Sequence, residues 1–547
     1  MSKEEYNENK VEVPSSVIDE KPERSTENTY GEEYKDLPTF WRIVRHLFTR
    51  KTIDRMSGED GGEENLLKRE LSALDLTMVG IGAIIGTGLF VMAGLVAKTR
   101  AGPSVTVSFI IAGIASAFSA LSYSEIACMI PVSGSAYTYA YSTLGEFFGW
   151  VIGWDLIVEY LFGAAGVSVG WSKYFVMFIK LCGGNIDERL IGPPIEFVEE
   201  NGTQEFKHTG RILNLPGLVL PLAVTVVLVV GIRESKFVNN FFVGVKVCVA
   251  LLFIFATAKF VDPQNWQPFI PPPVDNDWHK FGVSGIFAGA QVVFFAYIGF
   301  DMVTTAGQEA KNPQRDLPIG ICLSLVICTA LYIVMGVVMT GLKPYTQFDL
   351  AAPIISATPD HMNWLKIIVS LGASLGLVSV VLINMLSQSR VFYCMAHDGL
   401  LPTPFALIHP RFRTPYIPTI LSGISVSLLG AFLPVDLLAN MTSVGTLFAF
   451  FLVHLGVIVL RFTHPDSPRR FKIPGPGYTW MIFPIIGAGI SLLLIVVAEP
   501  TTIYRVAIWL GIGILIYIFY GYHHSRLFNR KHDEYIRQLD QKVKRSN

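Results

Sequence analysis

Between Leu74 and about Tyr522 the chain carries twelve apolar runs, at approximately 74–98, 104–129, 146–177, 213–231, 238–260, 282–306, 317–341, 365–390, 415–433, 437–460, 479–497 and 502–522. Each is close to the ~20 residues a helix needs to cross a hydrocarbon core. In lipid every backbone N–H and C=O has to be paired inside the chain, so open runs of this kind are helices. The expected fold is an all-α integral membrane protein with twelve transmembrane helices. Composition agrees: 51% of residues are hydrophobic and 16% charged, where soluble proteins carry about a quarter charged. Lys plus Arg number 43 against 44 Asp plus Glu, a balance that gives no reason to expect nucleic acid as a partner.

Residues 1–36 are rich in Glu and poor in large apolar residues, a composition expected to stay disordered. In residues 37–70, Phe40, Trp41, Ile43, Val44, Leu47 and Phe48 interleave with Arg42, Arg45, Arg50 and Lys51, as in a basic amphipathic segment lying on a membrane surface. A transmembrane domain is expected over 71–523 and a short basic tail over 524–547. No apolar signal core precedes the first span, so that span is expected to direct its own insertion.

Lys and Arg accumulate on the cytoplasmic side of membrane proteins. Arg390, Arg411, Arg413, Arg461, Arg469, Arg470, Lys472 and the tail residues Arg526, Arg530, Lys531, Lys542, Lys544 and Arg545 would then be cytoplasmic, with both termini. The loops with Glu196, Glu199, Glu200 and Glu205, and with Asp275 and Asp277, would face outward. That side holds Asn201-Gly202-Thr203, a glycosylation candidate. The plasma membrane is expected, a vacuolar or lysosomal membrane being the alternative. The six cysteines are scattered without metal-ligand spacing, so neither a metal nor a disulfide framework is expected, and no cofactor is. Cys182 borders the outer loop and leaves an accessory subunit open.

Two runs contain chain-breaking sequences. Span 1 includes Gly80-Ile81-Gly82-Ala83-Ile84-Ile85-Gly86-Thr87-Gly88-Leu89-Phe90, and span 6 includes Phe294-Phe295-Ala296-Tyr297-Ile298-Gly299-Phe300-Asp301. Glycine in one span alone reads equally as small-residue packing. Breaks at matching positions five helices apart point to a 5+5 inverted repeat with discontinuous helices 1 and 6, repeat one over about 74–260 and repeat two over about 282–460. Helices 11 and 12 follow, at about 479–522. Interrupted helices leave unpaired N–H groups at a new N-terminus and unpaired C=O groups at a new C-terminus. Donors near Thr87 and Gly88 would meet a carboxylate, and carbonyls near Ile84, Phe295, Ala296 and Ile298 an ammonium group. An α-amino acid needs both.

The strings GAIIGTGLF, GPS at 102–104, SYSEIA at 122–127, PVSGSAYTYAY at 131–141, GWDLIVEYLFGAA at 153–165, FFAYIGFDMVTTAGQEAKNPQRDLP at 294–318 and SQSRVFYCMAHDGLLP at 387–402 carry a family likeness. They resemble the amino acid, polyamine and organocation superfamily over roughly residues 70–475, and within it the cationic amino acid transporters and their proton-coupled bacterial relatives. The resemblance implies that Ile84, Ile85, Gly86, Thr87 and Gly88 contact the substrate together with Phe295, Ala296, Ile298 and Gly299. It also implies that Asn384, in span 8, borders the side-chain end of the pocket. With fewer spans than the animal cationic carriers, the chain looks more like the shorter bacterial members.

Lys246 lies well inside span 5, where an ammonium group needs a partner or a way to exchange its proton. In the proton-coupled relatives a lysine at the matching position occupies the place where sodium-driven cousins bind a cation between helices 1, 5 and 8. Lys246 is thus the proton-coupling candidate, its alternative being a lysine that snorkels to the interface. Glu125 and Glu159, with Asp155 one turn earlier, are intramembrane carboxylates that either tether helices or serve transport. The resemblance adds that the SYSE glutamate, Glu125, matches a position required in cationic carriers. Glu309, Lys311, Arg315 and Asp316, and Arg390 with Asp398, form charged inner loops; most such charges are solvated or in modest salt bridges, and the resemblance implies a cytoplasmic gate or a helix-anchoring network.

The resulting expectation is secondary active transport of amino acids across a lipid bilayer, proton-coupled, with arginine, lysine or ornithine favoured. A neutral amino acid carrier or a facilitative exchanger is the alternative within the class, and an amino acid sensor the alternative outside it. No nucleotide-binding P-loop run is present, and the polar groups supply no nucleophile with a base, so an enzyme is not expected.

Overall fold

The computed structural model describes residues 40, 46–51, 71–130, 134–200, 203–230, 236–274, 277–307, 310–350, 352–409, 411–412, 414–465 and 469–528. The tail over 1–36, most of 37–70, Asn201 and the residues after 528 lie outside the described residues.

The first helix, α1 (Ala73–Ile84), starts where its sequence supplies a reciprocal cap: Asp75 N donates to Ser72 Oγ and Ser72 N to Asp75 Oδ2 at 2.9 Å. After a break at residues 85–87, a helix with two π turns runs from Gly88 to Ala101. Gly102, at φ +62°, turns the chain into α2 (Val105–Met129). A short α3 (Ser135–Thr143) leads to α4 (Glu146–Leu181), a helix of 36 residues. Then come α5 (Leu215–Val230), α6 (Lys236–Thr257), α7 (Gly282–Val293), α8 (Met302–Thr305), α9 (Pro313–Leu342), α10 (Pro353–Ala357) and α11 (Asn363–His397). The last four are α12 (Tyr416–Phe432), α13 (Val435–Thr463), α14 (Ile482–Val497) and α15 (Pro500–Ile516).

Among the described residues nine helical segments are long and apolar enough to cross a membrane, and Ala73–Ile84, Leu215–Val230 and Tyr416–Phe432 are shorter apolar helices. They fall on the expected runs; α12 is 17 residues long, and α5 is described over 16 residues, up to Val230. The large apolar side chains left uncovered, among them Val226, Phe255, Val326, Val496 and Phe519, lie on the outer helices, whereas Asp155, Glu159, Lys246 and Asp301 are fully enclosed. Apolar surface outside and ionisable groups inside is the arrangement a lipid solvent selects.

Within the bundle α4 runs against α11 and α13, α9 packs on α1 and α2, and α5 pairs with α12. The all-α expectation needs one correction. Strands β1 (Ile195–Glu200) and β2 (Thr203–His208) form an antiparallel hairpin in the loop after α4, with Phe197 opposite Phe206. Its two segments flank an Asn-Gly pair, a dipeptide favoured in hairpin turns. Both described chain ends meet at the face opposite this hairpin, where Lys51 reaches Asp398 and Ser525 reaches Glu146. That face is called the terminal face below.

Candidate functional site

The two interrupted spans touch at their breaks. Helix α1 ends at Ile85, whose backbone is extended (φ −71°, ψ 91°). Helix α7 tightens into a 3-10 turn over Phe294–Tyr297, Ile298 turns extended, and Gly299 takes φ +122° before α8 begins. Glycine chemistry decides how near these segments come. A Cβ on Gly88 would stand 2.3 Å from Ala296 Cβ, and one on Gly299 would stand 2.9 Å from the Ala83 carbonyl carbon. Only a residue without a side chain lets one backbone press on the other this way.

The C-terminal ends of α1 and of the α7 turn converge on one side chain. Tyr332 of α9, fully buried, places its hydroxyl 2.8 Å from Ile84 O and 2.8 Å from Ala296 O. The expectation that these two carbonyls are free is therefore corrected: each already faces a phenol, although a carbonyl oxygen has a second lone pair to offer. Nothing local in the sequence singles out Tyr332, one aromatic residue in an apolar run. On the donor side, Thr87 is buried and its Oγ1 has no partner.

Helix α4 passes the breaks with a row of glycines. A Cβ on Gly170 would meet Thr87 Cγ2 at 2.3 Å, one on Gly166 would meet Phe295 Cζ at 3.4 Å, and one on Gly163 would meet Asn384 Oδ1 at 3.2 Å. Thr87, Phe295 and Asn384 thus line one stretch of α4. Asn384 donates Nδ2 to Val380 O at 2.9 Å, and Val380 is also the side chain nearest Gly86. Further along α4, toward the terminal face, stand Glu159 and Asp155. Both are buried; among the described residues Asp155 has no hydrogen-bond partner, and Glu159 has the Thr446 hydroxyl beside it but no basic side chain. Asp301, just past the second break, accepts from the Tyr160 hydroxyl at 3.1 Å and from Gly299 N at 3.3 Å. Sequence reasoning quoted Asp301 inside its motif without assigning it to the site.

Residues 71–519 match the family described as amino acid permease. The chain belongs to that family. Among its relatives, the branched-chain amino acid permease BcaP of Bacillus subtilis is 44% identical over 88% of this chain and 99% of its own length. The methylthioribose transporter of the same organism is 39% identical over 88% of this chain and 99% of its own length. A vacuolar cationic amino acid transporter 2 of Arabidopsis thaliana is 39% identical over 78% of this chain and 65% of its own length. Family and apolar helices together make the permease an integral membrane protein of a transporter family.

The remaining candidates divide by their partners. In this permease Lys246 is fully buried, donates to Gly82 O at 2.7 Å, and lies against α11 so closely that a Cβ on Gly376 would meet its Cγ at 2.6 Å. Lys246 therefore sits between α1, α6 and α11 and does not reach out to an interface. Glu125 has the opposite character. Arg461 grips it with Nε to Oε1 at 2.6 Å and Nη2 to Oε2 at 2.5 Å, Ile473 N donates to it at 2.9 Å, and the guanidinium stacks 4.1 Å from the Trp480 ring centre. A bidentate charge-assisted pair of this kind fixes geometry. Glu125 thus joins α2 to α13 through Arg461.

Proposed function

We propose that this permease carries amino acids by alternating access around the two breaks, with twelve spans, ten of them forming two inverted five-helix repeats, and both termini in the cytoplasm. The α-carboxylate would bind at Thr87 and Gly88, and the ammonium group at the carbonyls of Ile84, Ala296 and Ile298. Ile85, Gly86, Phe295, Gly299 and Asn384 complete the contact set. Lys246 would exchange the coupling proton, because a fixed ammonium between α1, α6 and α11 repels a metal cation there.

One observation carries the substrate preference. Glu159 and Asp155 are buried on the helix that lines the breaks, and among the described residues no basic side chain pairs with either; buried carboxylates without a counter-charge are costly. A long cationic side chain, directed from the breaks past Asn384, supplies the missing charge, which favours arginine, lysine or ornithine. The second reading, a neutral branched-chain substrate, is favoured by the apolar wall of Phe295, Ile298 and Leu438 and by the printed function of BcaP. Uptake of labelled arginine and leucine into proteoliposomes, with an inward proton gradient imposed and then collapsed by an ionophore, tests both. Gradient-driven arginine accumulation is expected; accumulation of leucine alone would move the assignment to the second reading.

A further inference from the structure

At the terminal face a piece of the chain ahead of the first span occupies a built seat. Glu146, the first residue of α4, is fully buried. Its Oε1 accepts from His46 Nε2 at 3.1 Å and from the Tyr517 hydroxyl at 3.0 Å, and its Oε2 from the Tyr141 hydroxyl at 2.8 Å and from the Ser525 hydroxyl. The His46 ring stacks on Tyr522 and Phe528, with centroids 4.3 and 3.6 Å away. Backbone contacts continue the docking: Glu146 N donates to Thr49 O at 3.0 Å and Lys51 N to Tyr141 O at 3.4 Å. Lys51 Nζ then donates to Asp398 Oδ1 at 2.9 Å, while the Tyr137 hydroxyl donates to Oδ2 at 2.6 Å. Gly145 makes room, at φ +116°, where a Cβ would stand 2.8 Å from the Phe48 carbonyl carbon.

Both acids also hold α3. Tyr137 and Tyr141, one turn apart on that helix, are the phenols donating to Asp398 and Glu146. Between them in sequence, Tyr139 has Thr304 of α8 as a neighbour, and α3 packs on α8. The residues 46–51 segment therefore stands behind α3, and α3 stands behind the half of span 6 nearest the terminal face. Contacts made in only one of two states stabilise that state and slow departure from it.

We propose that residues 46–51 are an inhibitory latch: docked on Glu146 and Asp398, they brace α3 against α8 and slow the opening of the terminal face during transport. The latch rests on the reading of amino acid transport above, and none of its residues lines the breaks. Its test is initial-rate uptake into proteoliposomes by the full-length chain and by a His46→Ala, Lys51→Ala double variant, using whichever of arginine and leucine the parental protein accepts. Loss of one net hydrogen bond's worth of latch should raise Vmax about fivefold with KM unchanged. A synthetic peptide of residues 40–56, added on the side bearing the termini, should return the double variant toward the parental rate. Lys51→Ala alone, which leaves the His46 seat intact, should give a smaller rise, and it decides the matter if the double variant does not fold. Vmax unchanged or lowered, a shifted KM, or a peptide without effect overturns the latch. A parental protein that takes up neither amino acid overturns the transport reading and the latch with it, whereas parental uptake with no rise in Vmax overturns the latch alone.

Discussion

Gly86 and Gly88 stand two residues apart in the same break, yet the structure predicts opposite fates for their alanine variants. On Gly88 a new methyl would lie 2.3 Å from Ala296 Cβ and 2.5 Å from Ala296 Cα. Neither atom can rotate away, because both belong to the backbone of the second break or are fixed to it. Relief to ordinary contact, about 3.5–4.0 Å between carbons, requires the two breaks to part by more than an ångström. Overpacking of this kind costs about 1–3 kcal/mol, so the joined state should fall roughly 5- to 150-fold in population. On Gly86 the nearest atom is Val380 Cγ1 at 3.4 Å, a side-chain methyl at the edge of ordinary contact, and the loss should stay within about threefold. The assay is initial-rate uptake in proteoliposomes, normalised to monodisperse protein, for Gly86→Ala, Gly88→Ala and the pair Gly88→Ala with Ala296→Gly. The pair should recover part of the loss, because it removes the nearer of the two clashes. Parental uptake by Gly88→Ala, or equal damage from Gly86→Ala, would refute the idea that the two breaks must touch.

Lys246→Ala should abolish accumulation driven by a proton gradient while leaving exchange of substrate across the bilayer; intact gradient-driven accumulation would remove Lys246 from coupling. Glu159→Gln keeps the shape and removes the charge, so it should lower uptake of arginine relative to leucine by about tenfold or more, and an unchanged ratio would place the substrate side chain elsewhere. Tyr332→Phe loses the hydroxyl between the carbonyls of Ile84 and Ala296 and should raise KM about 2- to 12-fold for every amino acid alike, as competition measurements with several substrates would reveal. Glu125→Ala leaves Arg461 without its carboxylate and should destabilise the fold by about 3–5 kcal/mol, seen as a lower melting temperature with KM unchanged; a shifted KM with unaltered melting would argue against a tether.

The chain breaks were legible because each needs only local information. Glycines inside an apolar run of spanning length weaken a helix wherever they stand, and the repetition of the pattern five helices later marked Gly86–Gly88 and Ile298–Gly299 as a pair. Span positions were legible for a similar reason: the cost of an unpaired peptide group in lipid acts on each segment by itself. Lys246 could be flagged from its surroundings in sequence, since a lysine in the middle of such a run always has to be accounted for.

Partnership was not legible, because it depends on which distant segments pack together. Glu125 and Glu159 look alike as sequence, two carboxylates in apolar helices, yet Arg461 reaches across 336 positions to pair with one, while among the described residues no basic side chain pairs with the other. Tyr332 gains its meaning only when α9 lies across both breaks, and the seat for His46 exists only when His46, Tyr517 and Ser525 meet at Glu146. By itself the sequence determined a membrane-spanning helical chain, the positions of its breaks and the kind of polar ends they expose, because local hydrogen bonding and hydrophobicity impose these. Tertiary structure alone decided which charges are neutralised, which carbonyls remain open and what braces the terminal face, because electrostatic pairing and close contact are properties of neighbours in space.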